Sequence, residues 1–361
     1  MSSAGPDPER SPDGYSSGDQ ARTDGSTGRA TMRDVAALAG VSLKTVSRVV
    51  NREPNVSAPI VAKVTRAVER LNYRHNVGAS NLRSRRTGVI GALLQDVSNS
   101  FSAGLLRALE DVARQRRHVV LTASLDEEVE RERQLVGDLV GRRVDGLILM
   151  PATRDHSYLA PDLRAGLRVV FVDREPHGIV TDSVLVDNVT GAFDATRHLL
   201  GQGHRRILHL GDLDTIETAH QRQLGYEAAL RAAGMRLDPD LVVTGQRTSE
   251  MGEEALLRVF DSPSPPTAVF ASRNTVAIGA ARALRRLGLS HQIALVGFDD
   301  FPLADLLEPG LTVVRQDVGL IGRMAADILY ARIDGDTSPA ERHLVPPKLV
   351  LRGSGEIPPR A

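Results

Sequence analysis

The stretch RDVAALAGVSLKTVSRVVN, Arg33 to Asn51, sets side chains suited to reading DNA on one side of a short helix. A helix opening after Ser42 turns Val46, Val49 and Val50 inward, so Leu43, Lys44 and Arg48 face outward. An arginine can hold guanine O6 and N7 through two bonds, a lysine reaches guanine or a phosphate, and a leucine packs on a thymine methyl. Thr45, Ser47 and Ser57 supply short hydroxyls of the kind that position phosphates. The pattern alone also fits a solvated helical hairpin. Charge decides between them: residues 31–86 carry eleven Lys plus Arg against three Asp plus Glu, a net of +8, and residues 1–30 carry a net of −2. The whole chain is formally neutral. A basic module joined to a mildly acidic body calls for a polyanionic partner of the first part alone.

Other chemistries find little support. The 361 residues include no cysteine, which excludes disulfides, thiolate metal sites and a thiol nucleophile. There is no GxGxxG or P-loop pattern, and no nucleophile elbow of GxSxG type at a strand-to-helix turn. His204, in GHRRI, precedes a strand and is read as fixing that turn. His198 falls in a helix and His209 in a strand, without metal-ligand spacing. The paired carboxylates of FDD, Asp299 and Asp300, project to opposite faces and do not suit an acid–base pair. No enzyme, cofactor or metal is expected. Residues 1–30 lack the apolar run of a signal peptide and no membrane span follows, so a soluble cytoplasmic protein is expected.

The elements that must position these residues follow from local pattern. Residues 1–30, rich in Ser, Gly, Asp and Pro, bury too little to offset ordering entropy and are expected to be disordered. Residues 31–74 read as three short helices. Thr31 and Asp34 form a capping box ahead of an apolar face of Val35, Leu38 and Ala39. Gly40 makes the turn, Ser42 caps the second helix, and Ser57 caps a third with Pro59 in its first turn and Ile60, Val64, Val68 and Leu71 along one stripe. Residues 75–87 form a basic connector, a short helix capped by Asn76. From Gly88 to Ala361, nine short apolar runs alternate with helices: GVIGALL, VVLTAS, DGLILMP, RVVFVD, SVLVD, RILHLGD, LVVTG, TAVFAS and IALVGFDD. Such runs predict parallel strands buried on both faces. So many strands suit two doubly wound lobes with a ligand cleft at their carboxyl ends. The expected fold is an all-α helix-turn-helix head on an α/β body.

The ordered set of motifs resembles the LacI (lactose-repressor) family of transcriptional regulators. The matching segments are DVAALAGVS-KTVSRVVN, VSA (56–58), LNYRHN (71–76), NLRSRRTGVIG (81–91), VDGLIL (144–149), DNVTGA (187–192), GHRRI (203–207), ALVGFDD (294–300), TVVRQD (312–317) and LRGS (351–354). The resemblance implies a two-lobed body like that of periplasmic sugar-binding proteins, and a connector that orders as a hinge helix on operator DNA. It makes Leu82 an apolar wedge at a central minor-groove step, with Arg83 along that groove. Asn51, Tyr73 and Asn76, in the same segments, complete the candidate DNA set. Two hinge helices at one step imply a homodimer on a palindromic operator. No apolar heptad tail appears near the end of the sequence, which favours a dimer over a tetramer. His75, where proline is usual, and Gly78, inside the proposed helix, predict a hinge that forms poorly off DNA.

By the same resemblance the effector positions are Phe101, Asp173, Arg222, Arg273, Asp299 and Gln316, with Arg247 placed by a looser match. Asp173 and Asp299 each end a strand, where an aspartate also serves as a helix cap, and Arg222 in HQRQLGY fits a surface position equally well. Arg273 and Arg247 stand where Asn and an aromatic are common. They point to a more positive cleft and an anionic, sugar-derived effector, unless Arg273 pairs internally with Asp299.

Overall fold

The structure, a computed structural model, describes residues 30–50, 53–74 and 86–360. The chain divides into two compact units, 1–80 and 81–361.

The first unit contains three helices: α1 (Met32–Ala39), α2 (Leu43–Val50) and α3 (Ala58–Arg70). The expected capping box is present: Asp34 N donates to Thr31 Oγ1 at 3.3 Å and Thr31 N donates to Asp34 Oδ2 at 2.8 Å. The bond from Thr31 N, joined by one from Thr31 Oγ1 at 2.7 Å, holds the Asp34 carboxyl below the usual carboxylate range. Gly40 ends α1 at φ 64°, a conformation that strains other residues. Thr45 N donates to Ser42 Oγ at 3.1 Å and so caps α2. Ser57 stands at the start of α3, but its hydroxyl makes no capping bond; Pro59 lies in the first turn, where no N–H is needed. Val35, Val46, Val64, Ala67 and Tyr73 form the core. Leu38, expected on the buried face, is 42% exposed. The row of α1 that meets the other helices runs through Met32, Val35, Ala36 and Ala39, and Leu38 lies on its flank.

The second unit is two six-stranded lobes. The chain runs β1 (Val89–Leu94), α4 (Ser100–Gln115), β2 (Val119–Ser124), α5 (Val129–Gly141), β3 (Gly146–Leu149), α6 (Ala160–Ala165), β4 (Val169–Val172) and β5 (Asp182–Val186). It continues as α7 (Asn188–Gly201), β6 (Ile207–Leu210), α8 (Glu217–Ala232), β7 (Val242–Val243), α9 (Ser249–Phe260), β8 (Ala268–Ala271), α10 (Asn274–Arg286), β9 (Ala294–Phe298) and β10 (Thr312–Arg315). It ends with α11 (Val318–Ile333), β11 (Arg342–Val345) and β12 (Lys348–Val350). The first sheet is ordered β11-β5-β4-β3-β1-β2 and the second β12-β10-β9-β8-β6-β7. All pairs are parallel except β10 with β12.

All nine apolar runs form strands. Three further strands, β10, β11 and β12, were not among them. The expectation that every run is buried on both faces fails at β2, an edge strand whose Val119 is 60% exposed. The chain passes between lobes after β5, after β10, and between β11 and β12. Asp187 and Asp317 follow the first two passages and cap the next helices, accepting from Thr190 N at 3.0 Å and Leu320 N at 2.9 Å. Helices cross closely where side chains are missing: a Cβ on Gly279 of α10 would collide with Ser249 O of α9.

Candidate ligand cleft and DNA-binding face

The carboxyl ends of the two sheets line a narrow crevice with a cavity volume of about 70 Å³. In doubly wound folds this is where loops converge and ligands bind. Six of the seven expected effector residues line it: Phe101, Asp173, Arg222, Arg273, Asp299 and Gln316. Asp173 and Asp299 follow β4 and β9, the corresponding strands of the two lobes. Both take left-handed backbone, φ 70° and 71°, which turns the chain sharply at the strand end. Neither caps a helix, so that alternative falls. Burial pushes the Asp173 carboxyl up; Arg174 and Arg222 oppose this, while Asp299 adds to it.

Arg222 is not a surface residue. Its side chain is 7% exposed. Its Nε donates to Asn188 Oδ1 at 2.8 Å, and one Nη donates to Ser272 O at 2.8 Å and to Asp299 Oδ2 at 3.2 Å. The guanidinium carbon lies 3.8 Å from the Phe298 ring centroid, a favourable stack of cation on aromatic face. Gln316 Nε2 donates to the other Asp299 oxygen. Asp299 is thus fixed from two sides, and Asp300 turns away to a two-bond pair with Arg352 at 2.7 Å. The opposite orientation expected of FDD is observed.

Two expectations about arginines need correction. Arg273 lines the cleft but pairs with Asp212, not Asp299. Arg247 is absent from the lining; its Nη2 lies 3.4 Å from Asp126 O, a contact across the lobes. Sequence reasoning also missed Arg174, whose two Nη atoms meet Glu127 at 2.6 and 2.5 Å. It missed Asp212 as well, although Asp212 ends the HLGD run by the same strand-end rule. The cleft therefore lines five carboxylates (Asp96, Glu127, Asp173, Asp212, Asp299) against three arginines, each paired with an acid. It is not the positive cleft expected. Asn99 and Asn274, one from each lobe, exchange hydrogen bonds of 3.0 and 3.2 Å at its edge. Gln316 Oε1 and Ser272 Oγ are buried there without partners.

On the head, α2 presents exposed Leu43, 46% accessible, and exposed Lys44. Arg48 is half-buried and tied to the following loop, through Pro54 O at 2.9 Å and Glu53 at 3.4 Å. Thr45 shares a 2.8 Å bond with Ser42. Ser47 is half-buried and Ser57 exposed. The Tyr73 ring is 8% exposed; it belongs to the core and positions the helices rather than forming a free contact surface. Asn51, Asn76, Leu82 and Arg83 lie outside the described residues, as do His75 and Gly78. His204 does fix its turn, bonding Thr267 Oγ1 at 2.9 Å and Ile357 O at 2.8 Å. Among the described residues, no helix is long and apolar enough to cross a membrane, and no cluster of His, Asp and Glu is arranged to hold a metal.

A three-helix head with a capped outward helix, carried on a two-lobed body with a polar cleft, defines a DNA-binding regulator with an effector-binding domain. Comparison with known proteins agrees. Residues 31–76 match the model for bacterial regulatory proteins of the lacI family, and residues 196–355 match a periplasmic binding protein-like domain. The ribose operon repressor of Escherichia coli K12 is 33% identical over 329 residues, covering 90% of this chain and 99% of its own. The lac repressor dimer bound to operator and an anti-inducer superposes with a TM-score of 0.80 at 27% identity, over 91% of this chain and 99% of that one. A cellobiose complex of the transcriptional regulator CelR gives a TM-score of 0.67 at 33% identity, over 91% and 100%. The chain belongs to the LacI family of transcriptional regulators.

Proposed function

We propose that the protein represses transcription as a homodimer on a palindromic operator, and that a neutral polyhydroxylated ligand in the cleft controls it. The observation that carries the ligand class is the cleft's charge. Every lining arginine is matched by a carboxylate and acids remain in excess, so an anion would enter against a negative field. Carboxylates fixed at both strand ends, with amides between them, suit ligand hydroxyls. The sugars in the names of the ribose repressor and the CelR complex support the same class. An anionic effector, the expectation from Arg247 and Arg273, loses its basis when both are engaged elsewhere.

On the head, Leu43 and Lys44 are the contacts in the first turn of α2, and Arg48 reads guanine after exchanging its loop partners for the base. Leu82 and Arg83 act in the minor groove, where an apolar wedge unstacks a step and a CG step opens easily. Ligand contacts that differ between lobe arrangements shift the dimer between DNA-competent and DNA-incompetent populations. The test has two stages. Selection from a random duplex pool should enrich a palindrome with a central CG step; no enrichment in the absence of ligand would point to a co-repressor. Thermal shifts with neutral sugars, acidic sugars and sugar phosphates should then single out neutral sugars. Stabilisation by phosphates alone would overturn the ligand class.

A further inference from the structure

The first lobe carries an arginine face at the end opposite the cleft, where the turns entering its strands lie. Arg117 precedes β2, Arg142 and Arg143 precede β3, and Arg164 and Arg168 precede β4. All five are exposed, and among the described residues none has a side-chain hydrogen bond or ion pair. The nearby carboxylates are largely spent. Asp334 bridges Arg86 and Arg116 at 2.8 Å each. Asp145 accepts from Thr87 N at 2.6 Å and Gly88 N at 2.7 Å. Asp162, in the depression shared with Arg143 and Arg168, and Asp138, one turn back on α5, do not balance the set.

Backbone conformation adds an independent observation. Arg117 and Arg143 sit in left-handed turns, φ 59° and 57°. The other helix-to-strand turns of the body with left-handed backbone use glycine: Gly166, Gly203, Gly234, Gly288 and Gly335. Glycine is the unstrained residue there. Arginine at two such positions, on adjacent turns of one face, indicates that the side chain is wanted despite the backbone. A favourable interaction of cations with helix carboxyl ends accounts for charge in the last turn, but glycine followed by a basic residue would satisfy that too, as Gly166 and Arg168 show.

Chain connectivity identifies the partner. The connector enters the body at Arg86 and Thr87, at this same end of β1. Eleven residues, 75–85, separate this face from the described head, and they span at most about 38 Å when extended. The body is acidic overall, yet the face nearest the tether is basic. We propose that this face, centred on Arg117 and Arg143, contacts the phosphates of duplex DNA flanking the operator. This rests on the head binding DNA. The contact is sequence-independent and adds affinity only when flanking duplex is present.

The test uses the full chain and the site selected from the random pool, placed in duplexes of about 20 and 60 base pairs. The doubly substituted variant Arg117→Gly, Arg143→Gly should fold as well as the parent or better, because glycine relaxes both turns. It should bind the short duplex unchanged and lose roughly tenfold on the long one. Its salt slope on the long duplex should fall by about 2 or more, since each lost phosphate contact removes about 0.9. A control variant, Arg236→Ser with Arg285→Ser, removes two exposed arginines of the second lobe and should change neither duplex. Equal affinity and slope for parent and glycine variant on the long duplex would overturn the proposal. So would an equal loss on both lengths, or an equal loss in the control, which would make net charge the cause. Failure of the parent to bind either duplex would sink the reading of the head, and this proposal with it.

Discussion

Arg222→Ala should be among the most damaging single substitutions in the body, and the reason can be worked out. The change removes donors to Asn188, Ser272 O and Asp299 together with the stack on Phe298. Asp299, 11% exposed in its side chain, keeps only Gln316. Breaking a buried pair from one side leaves an uncompensated charge and costs about 3–5 kcal/mol. For a domain of this size each kcal/mol moves the midpoint by about 2–4 °C, so thermal unfolding at pH 7 followed by circular dichroism should show a fall of roughly 10 °C. Adding Asp299→Asn removes the orphaned charge and should recover more than half of that loss. Asp173 loses a compensating cation in the same change, so its carboxyl should rise further, visible by NMR titration. A single-variant loss under about 1 kcal/mol, or strict additivity of the two substitutions, would refute the idea that this pair is dry and coupled.

Gly279→Ala should cost several kcal/mol in chemical denaturation because its Cβ meets the backbone of α9, whereas Gly137→Ala, with open space around it, should gain about 0.5–1 kcal/mol. His209 is fully buried and its imidazole is pushed down to about 4 by burial. The unfolded chain then takes up the proton first as pH falls from about 6.5 towards 4, so stability should decline by about 3 kcal/mol across that window; His209→Gln should flatten that limb in urea titrations at stepped pH, and an unchanged slope would exclude His209 as its source. Gly78→Ala should raise operator affinity by about fivefold for each hinge, up to roughly 30-fold for a dimer, if hinge ordering limits binding, since a mid-helix glycine costs about 1 kcal/mol; no gain by fluorescence anisotropy would show that it does not.

What the sequence disclosed depended on how local the determinants were. The head was legible because caps and apolar spacing are short-range: Thr31, Asp34, Gly40 and Ser42 all occupy the positions their types suggest. The nine apolar runs were legible because parallel strands buried between helices have little polar content. β11 and β12 were not, because RHLV and KLV are short and open with charged or polar residues, and a strand that completes a sheet from a distant segment has no local signature. The cleft shows the same division. The family resemblance placed Asp173 and Asp299, in agreement with their strand-end position, but pairing among charged residues depends on which loops meet across two lobes. That is why Arg273 found Asp212, and why Arg247 left the cleft for Asp126. Leu38 shows the limit of periodicity itself: an eight-residue helix has room for one buried row, and spacing alone does not fix its edge.

The interleaving of the lobes bears on how the protein is made. The first sheet takes β1 to β5 from the early chain but β11 from residues 342–345, and α11, which packs on it, from residues 318–333. The second lobe lies between these pieces and itself awaits β12. During synthesis neither sheet can be completed until residues 342–350 are translated, so the emerging chain carries two unfinished sheets with open edges. Premature termination between about residues 75 and 345 would therefore leave both lobes incomplete at once while sparing the locally determined head. Truncated products of this gene would retain their DNA-reading helices and lose the part that answers to a ligand.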